Sequence, residues 1–490
     1  MSSFADAVSA VEGFVSTRIL VYVLIGLGTL FTIVTRGVQF RHFPQAVRLM
    51  LHSRKGSGEA LSSFQAFTVG LASRVGTGNI AGVALALIVG GPGAIFWMWV
   101  VAFVGMATSF MESLLAQMYK IPWGDRIYRG GPAYYIERGL GSRTWGVIFA
   151  ALLVFSYGLI FPMVQSNTIA LQFSSAMHLS PWATACILVL ISIPIMLKGL
   201  RVVARVTELV VPFMAIVYLA IAGFVVVINI TAVPQVCADI VRGAFGLDQA
   251  LAGTAGGLFA TLLNGAKRGL FSNEAGQGSM PNGAATAEVA HPVQQGLIQA
   301  LGTFVDTVLV CSATAFMILL AGPEVFRPGR EYTDSLLAQD ALTYHLDGGT
   351  GWTVGFMTLV VFLFAYSSTL GYSVFAEVNI DYLGWGQRGV RALHILMIVA
   401  VGLGAVTELT LAWNLADLAL ALMTIVNMVA VALLMRQGVA CLRDYDRQRA
   451  AGIAEPVFVA EDAGLPKQLP TQVWTREHAE VSRSLMTPTE

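Results

Sequence analysis

The sequence predicts an all-α polytopic membrane protein with eleven spanning helices, on three observations. Of its 490 residues, 56% are hydrophobic and 12% charged, against about 45–50% and about 25% in soluble proteins. Apolar runs long enough for the roughly 20 residues that a helix needs to cross hydrocarbon recur along most of the chain. Two of these runs, about 200 residues apart, are interrupted mid-course by glycine and small polar residues.

The predicted spans are 18–36, 61–90, 93–119, 145–172, 181–197, 206–229, 251–288, 293–320, 352–380, 390–408 and 412–435. The first is flanked by acidic residues and followed by no small-residue cleavage pattern, so it reads as a helix and not as a signal peptide. The second contains Ser73-Arg74-Val75-Gly76-Thr77-Gly78-Asn79, and the seventh contains Phe271-Ser272-Asn273-Glu274-Ala275-Gly276-Gln277-Gly278-Ser279. A helix in hydrocarbon keeps its backbone hydrogen bonds internal, and each unsatisfied group costs several kcal/mol. A break at that depth therefore frees N–H and C=O groups for an anionic head group or a dehydrated cation.

Lys and Arg placement orients the chain. Arg36, Arg41, Arg48, Arg54 and Lys55, then Lys120, Arg126, Arg129, Arg138 and Arg143, then Lys198, Arg201, Arg205, Arg388 and Arg391 fall on one side with the C-terminal tail. Only Arg18, Arg242, Arg327 and Arg330 fall on the other. The positive-inside bias puts the N-terminus outside and the C-terminus in the cytoplasm. Residues 1–440 read as one transporter domain, with 18–36 an extra first helix, 61–229 a first repeat and 251–435 a second. Helices 2–6 and 7–11 form two groups of five, each opening with a broken helix, and an odd number of spans inverts the second group. An inverted 5+5 repeat places its site at the midplane. The loop from about 321 to 351 is expected to be external and to hold a short helix. The tail, 441–490, polar with Pro and Glu, reads as partly disordered. Cys186, Cys237, Cys311 and Cys441 show no paired spacing, so neither a disulfide framework nor a metal site is indicated.

Several residues carry two readings. Gly76-Thr77-Gly78-Asn79-Ile80-Ala81 fits a dinucleotide fingerprint in form, but that motif needs a preceding strand, and spanning helices flank it here. Small-residue packing through Gly78 and Gly82 explains the glycines but not Thr77 and Asn79. Glu274, a mid-span carboxylate, is a functional candidate, weighed as a brace tied to Arg268 or freed N–H groups and, second, as a substrate contact. Glu112, Asp306, Glu377 and Asp417 are each either relays or braces. Gln165 either satisfies a carbonyl freed by Pro162 or donates to a substrate carboxylate. Ser367, Ser368 and Thr369 place three hydroxyls in the ninth span. Hydroxyls with broken-helix carbonyls suit Na⁺, whereas Mg²⁺ or Ca²⁺ would want more carboxylates and waters. At least one of the three is expected to bond back to its own helix.

These pieces resemble the alanine or glycine:cation symporter family of prokaryotes. The resemblance rests on Ser73 through Gly82, Gly90-Gly91-Pro92-Gly93-Ala94-Ile95-Phe96-Trp97-Met98-Trp99, Gly130 through Glu137, Arg268 through Gly276, His291-Pro292 to Gln295-Gly296, and Asp306-Thr307. It covers roughly residues 15 to 440. It implies a leucine-transporter-type fold and coupling of Na⁺, sometimes H⁺, to uptake of alanine or glycine. It further implies that the substrate carboxylate meets Thr77, Gly78 and Asn79 with Gln165. Phe271, Ser272, Gly276 and Tyr372 would enclose the rest, and Ser73, Gly76, Ser367 and Ser368 would hold Na⁺. Arg268 and Glu274 are candidates for gating or bracing. The chain departs from the family in having Ser367-Ser368 for Thr-Thr, Tyr372 in a stretch where Trp is frequent, and Met280 for a smaller residue.

The expectation is thus a symporter that couples Na⁺ to uptake of small neutral amino acids by alternating access, with no other cofactor. Its expected home is a prokaryotic plasma membrane, the inner one in a Gram-negative cell. The alternative is proton coupling, for the same or a larger solute such as glutamine. A channel would want a continuous pore, and a membrane enzyme would want an HExxH, a nucleophile elbow or clustered histidines.

Overall fold

The structure, a computed structural model, describes residues 2–51, 61–123, 127–246, 255–327, 334–347, 350–407, 410–477 and 479. Of the basic residues used for orientation, Arg54, Lys55, Arg126 and Arg330 lie outside these. In chain order the helices are α1 (Asp6–Val34), α2 (Phe43–Leu51), α3 (Ser63–Arg74), α4 (Gly78–Gly90) and α5 (Gly93–Met118). A two-residue strand pair follows, β1 (Ile121–Pro122) against β2 (Tyr128–Arg129). Then come α6 (Pro132–Leu140), α7 (Arg143–Met177), α8 (Pro181–Met196), α9 (Leu200–Ile228) and α10 (Val233–Ala244). The last seven are α11 (Ala255–Asn273), α12 (Met280–Ala285), α13 (Pro292–Leu320), α14 (Asp334–Leu346), α15 (Trp352–Tyr382), α16 (Gly386–Val406) and α17 (Thr410–Ala450).

Among the described residues, eight helices (α1, α5, α7, α9, α13, α15, α16 and α17) are long and apolar enough to cross a membrane. The pair α3–α4, bent by 52° at its break, makes a ninth, and α8 is a shorter apolar helix. The predicted seventh span, 251–288, begins in residues outside those described. Its described part is α11 and α12, separated by residues 274–279. α9 turns Leu209, Phe213, Ile216 and Phe224 outward, the apolar exterior that a bilayer-facing helix requires.

The break in the second span follows from local chemistry. A capping box starts α3: Ser62 accepts from Gln65 N–H while Gln65 accepts from Ser62 N–H, both at 3.0 Å. The helix stops at Arg74, and α4 restarts at Gly78. Two helices frame the breaks. Every residue of α5 from Gly105 to Met118 is buried, as is every residue of α15 from Phe364 to Asp381.

The C-terminal part differs from the sequence expectation. α17 does not end near 435 but runs to Ala450, because Cys441, Leu442 and Tyr445 continue its buried face. Nor are residues 451–477 loose. Val457, Phe458, Val459, Leu469, Val473 and Trp474 are buried, so a few apolar anchors fasten a segment whose composition is polar. In the loop predicted to hold a short helix, α14 packs Leu337, Ala338, Ala341 and Leu342 into the core.

Candidate functional site

Both breaks meet in the middle of the bundle. Arg74, at the end of α3 and 2% exposed, donates through Nε to the Asn273 carbonyl at the end of α11 (2.9 Å). Its Nη1 reaches the Gln299 carbonyl at 3.1 Å, and its Nη2 reaches Ser109 Oγ at 2.9 Å. Glu274, Asp306 and Glu112 all act on this guanidinium electrostatically without touching it. Three carboxylates against one guanidinium make the centre a region that favours cations.

The first break presents backbone. Gly76 N–H is taken by Asn79 Oδ1 (2.9 Å), and Thr77 N–H by Gln165 Oε1 (3.3 Å). Thr77 Oγ1 is buried with no partner among the described residues. Gln165 Nε2 donates to Tyr372 OH at 2.8 Å. An aromatic wall closes around this point: Phe161 lies 5.7 Å from both Phe271 and Tyr372, and Tyr157 lies 5.0 Å from Tyr372. A Cβ on Gly78 would come within 3.1 Å of the Phe271 ring and of the Ser272 backbone, so α4 starts directly against α11 and only glycine fits at that contact. Trp413, which the sequence reading missed, covers Phe271 at 5.4 Å.

Beside it lies an oxygen cradle. Ser368 Oγ is 2.9 Å from the Ala72 carbonyl and 3.5 Å from that of Val75. These carbonyls sit one residue earlier than the pair expected from Ser73 and Gly76. Gly76 contributes by lacking a side chain, since a Cβ there would collide with Ser368 Oγ. Ser73 instead donates its hydroxyl to Glu274 (2.7 Å). Ser367 does not join the cradle; it bonds back to Phe364 O and faces Met214 of α9. Adjacent helical residues point about 100° apart, so only one of the two serines can face the break.

The remaining predicted residues separate into braces. Asn79 donates to Asp306 Oδ1 (2.6 Å), and Ser272 and Thr307 donate to Asp306 Oδ2 (both 2.8 Å). Asn79 and Ser272 thus turn their side chains to a shared carboxylate and not into the aromatic pocket. Gly276 gives its N–H to Glu112 (3.2 Å), which also accepts from Asn427 (2.8 Å). Glu274 is held by Ser73 and by Ser279 (2.6 Å) and not by Arg268, which pairs with Asp417 at 2.8 Å. Arg268 also lies over the Phe271 ring at 5.8 Å. Lys267 completes this cluster with Glu12 of α1 (2.6 Å) and Asp417 (3.6 Å). At the other end of α15, Arg129 grips Glu377 (2.9 Å) and Asp381 (2.7 Å), with His394 3.6 Å from Glu377. An ion-pair cluster therefore closes the bundle on either side of the breaks. Among the described residues, no three His, Cys, Asp or Glu gather as a metal site.

Comparison with known proteins bears on the family and the fold. The model of the sodium:alanine symporter family matches residues 1–460. The chain is 43% identical to the amino-acid carrier protein AlsT of Bacillus subtilis, over 98% of this chain and 100% of that one. It is 41% identical to the probable sodium/glutamine symporter GlnT of Bacillus subtilis, over 90% of each. A crystal structure of MhsT in complex with L-phenylalanine superposes with a TM-score of 0.53 at 12% identity, over 78% of this chain and 91% of that one, which fixes the fold as the leucine-transporter type.

Proposed function

We propose, for a chain that belongs to the sodium:alanine symporter family, that it draws a small neutral amino acid into the cell by letting Na⁺ run down its gradient. Amino-acid symport follows from that membership; ion, substrate and topology are our reading. The topology is eleven spans in an inverted 5+5 repeat, N-terminus outside, so that the C-terminal segment lies in the cytoplasm.

One observation carries the ion assignment. The Ser368 hydroxyl stands among the last carbonyls of α3, where the helix dipole is negative. Neutral oxygens at a helix C-terminus suit a monovalent hard cation, and the surplus of buried carboxylates nearby adds attraction. The substrate carboxylate belongs at the opposite pole, the N-terminus of α4, where the Thr77 hydroxyl has no partner among the described residues. Gln165 shapes that end, and Phe271 and Tyr372 close over the side chain. A pocket with aromatic walls admits alanine, glycine and serine and rejects leucine and phenylalanine.

A second reading is proton coupling through Glu274, which sits between the breaks on the hydroxyls of Ser73 and Ser279. Likeness to a probable sodium/glutamine symporter supports a somewhat larger neutral substrate as the variant of either reading. Uptake of labelled alanine into proteoliposomes, under an imposed Na⁺ gradient and then an H⁺ gradient, tests both. Na⁺-driven uptake that glycine inhibits and leucine does not supports the first reading. Uptake driven by H⁺ alone replaces it with the second.

A further inference from the structure

The segment after α17 returns to one place on the bundle. Trp474 is 1% exposed, and its Nε1 donates to the Gln117 carbonyl at 2.8 Å. Lys120 Nζ lies over the Tyr128 ring at 4.1 Å and the Trp474 ring at 4.8 Å, and donates to the Ala287 carbonyl at 2.9 Å. Phe458 N–H bonds the Ala290 carbonyl (2.9 Å), and the Phe458 ring stands edge-on to Trp474 (5.5 Å) and His291 (5.1 Å). The two anchors are joined, since Ala460 N–H bonds the Trp474 carbonyl at 3.1 Å.

Through Gln117 and Lys120 these anchors reach the exit of α12, next to the start of α3. Gln117 reaches the carbonyls of Ala284 (2.5 Å) and Ala287 (3.1 Å), the last turn of α12 and its exit. Residue 287 forms a parallel bridge with Leu61, and Glu288 N–H bonds the Leu61 carbonyl (3.1 Å), just ahead of α3. The start of one broken helix and the end of the other are thus joined to each other, and the C-terminal segment is fastened over the joint. A carrier that opens on this side must separate these strands.

We propose that residues 455–477 form a latch on this gate, with Trp474 and Phe458 as positioning residues that hold the inner ends of α3 and α12 together and so set how readily the carrier opens there. The proposal rests on the reading of the chain as an alternating-access carrier, with this face as the cytoplasmic one. Removing an anchor leaves the joint at 61 and 287–288 in place but without its cover, so the population shifts toward the state open on this side.

Hydrogen exchange on the full-length protein in detergent, comparing the native chain with W474A, W474F and F458A, tests this. Amides of 61–66 and 284–291 are expected to exchange at least tenfold faster in W474A and in F458A, with α15 unchanged. W474F, which keeps a ring over Lys120 but loses the N–H donor, should restore most of the protection. Native rates at 61–66 and 284–291 in both alanine variants overturn the proposal, and so does an acceleration spread evenly over α5, α13 and α15 in both. F458A leaves the Lys120 sandwich intact and decides the matter if W474A does not fold. The readout does not depend on the solute: failure of alanine uptake by the native protein refutes the proposed substrate without touching this result.

Discussion

The two helix breaks solve the same problem in opposite ways. The first, residues 75–77, is short, and Thr77 Oγ1 there has no partner among the described residues, while the Gly76 and Thr77 N–H groups are taken by Asn79 and Gln165. The second, residues 274–279, is longer and strained: Glu274, Gly276 and Gly278 all have positive φ, at 56°, 87° and 78°. Yet its polar groups are engaged. Glu274 meets two serines, Gly276 N–H meets Glu112, and Tyr157 OH meets Gln277 (2.8 Å). A non-glycine residue in the left-handed region costs about 1–3 kcal/mol and persists only when its surroundings over-determine it. The first break keeps one hydroxyl without a partner among the described residues, which on the proposed reading is the substrate's, and the second is tied on several sides.

That contrast can be broken most sharply with two alanines. Gly76→Ala puts a methyl onto Ser368 Oγ and is expected to abolish uptake while the protein stays folded. Gly278→Ala meets Phe149 and Pro132 at 2.7 Å from a strained φ and is expected to cost folding first, by at least about 3 kcal/mol. Thermal unfolding and initial uptake rates measured on both variants separate the two roles; equal loss of stability in both would erase the distinction. Next in size, Ser368→Ala removes one ligand from the cradle. It should raise the Na⁺ concentration for half-maximal uptake about tenfold, roughly 1.4 kcal/mol, whereas Ser367→Ala leaves it within twofold. Unchanged Na⁺ dependence in Ser368→Ala removes this residue from the site. Alanine amide, which lacks the carboxylate, should then compete with alanine at least about tenfold more weakly, since one hydrogen bond to a charged group contributes about 1.5 kcal/mol or more. Equal competition places the carboxylate elsewhere.

The smallest effect concerns the inner end of the second break. Burial pushes the Lys120 ammonium down from about 10.5 to about 7, against the pull of the Glu288 carboxylate. Between those values the unfolded chain binds a proton that the folded one does not, so stability rises with pH across this window and is lost as pH falls toward 7. Exchange protection at 284–291, corrected for intrinsic rates, should therefore improve from pH 7 to pH 9 in the native protein and stay flat in Lys120→Met. A slope of the same size in Lys120→Met assigns it to another group.

Both breaks were legible because glycine next to Thr, Asn, Ser or Glu inside an apolar run has few bland explanations. The hydroxyl cluster was legible, with Ser368 the residue expected above all to meet Na⁺, but that Ser367 turns away to Met214 needed the orientation of α15. The side-chain partner of Asn79 and Ser272 was not legible, because Asp306 comes from a third helix. Arg268 was assigned to Glu274 by nearness in the chain, while Asp417, 149 residues away, is its partner. The fastening of the C-terminal segment was invisible to composition, since Val457-Phe458-Val459 and Val473-Trp474 are short apolar patches in a stretch rich in Pro and Glu.

Arg74 has a mechanical consequence. Its planar fork is bolted at once to the Asn273 carbonyl, the Gln299 carbonyl and Ser109, so it behaves as an axle shared by two levers. α3 runs from this axle to the joint under the latch, and α11 runs from it toward the Arg268–Asp417 clasp on the other side. Levers keyed to a common axle cannot swing independently, so on the proposed alternating-access reading Arg74 would keep the two mouths out of phase.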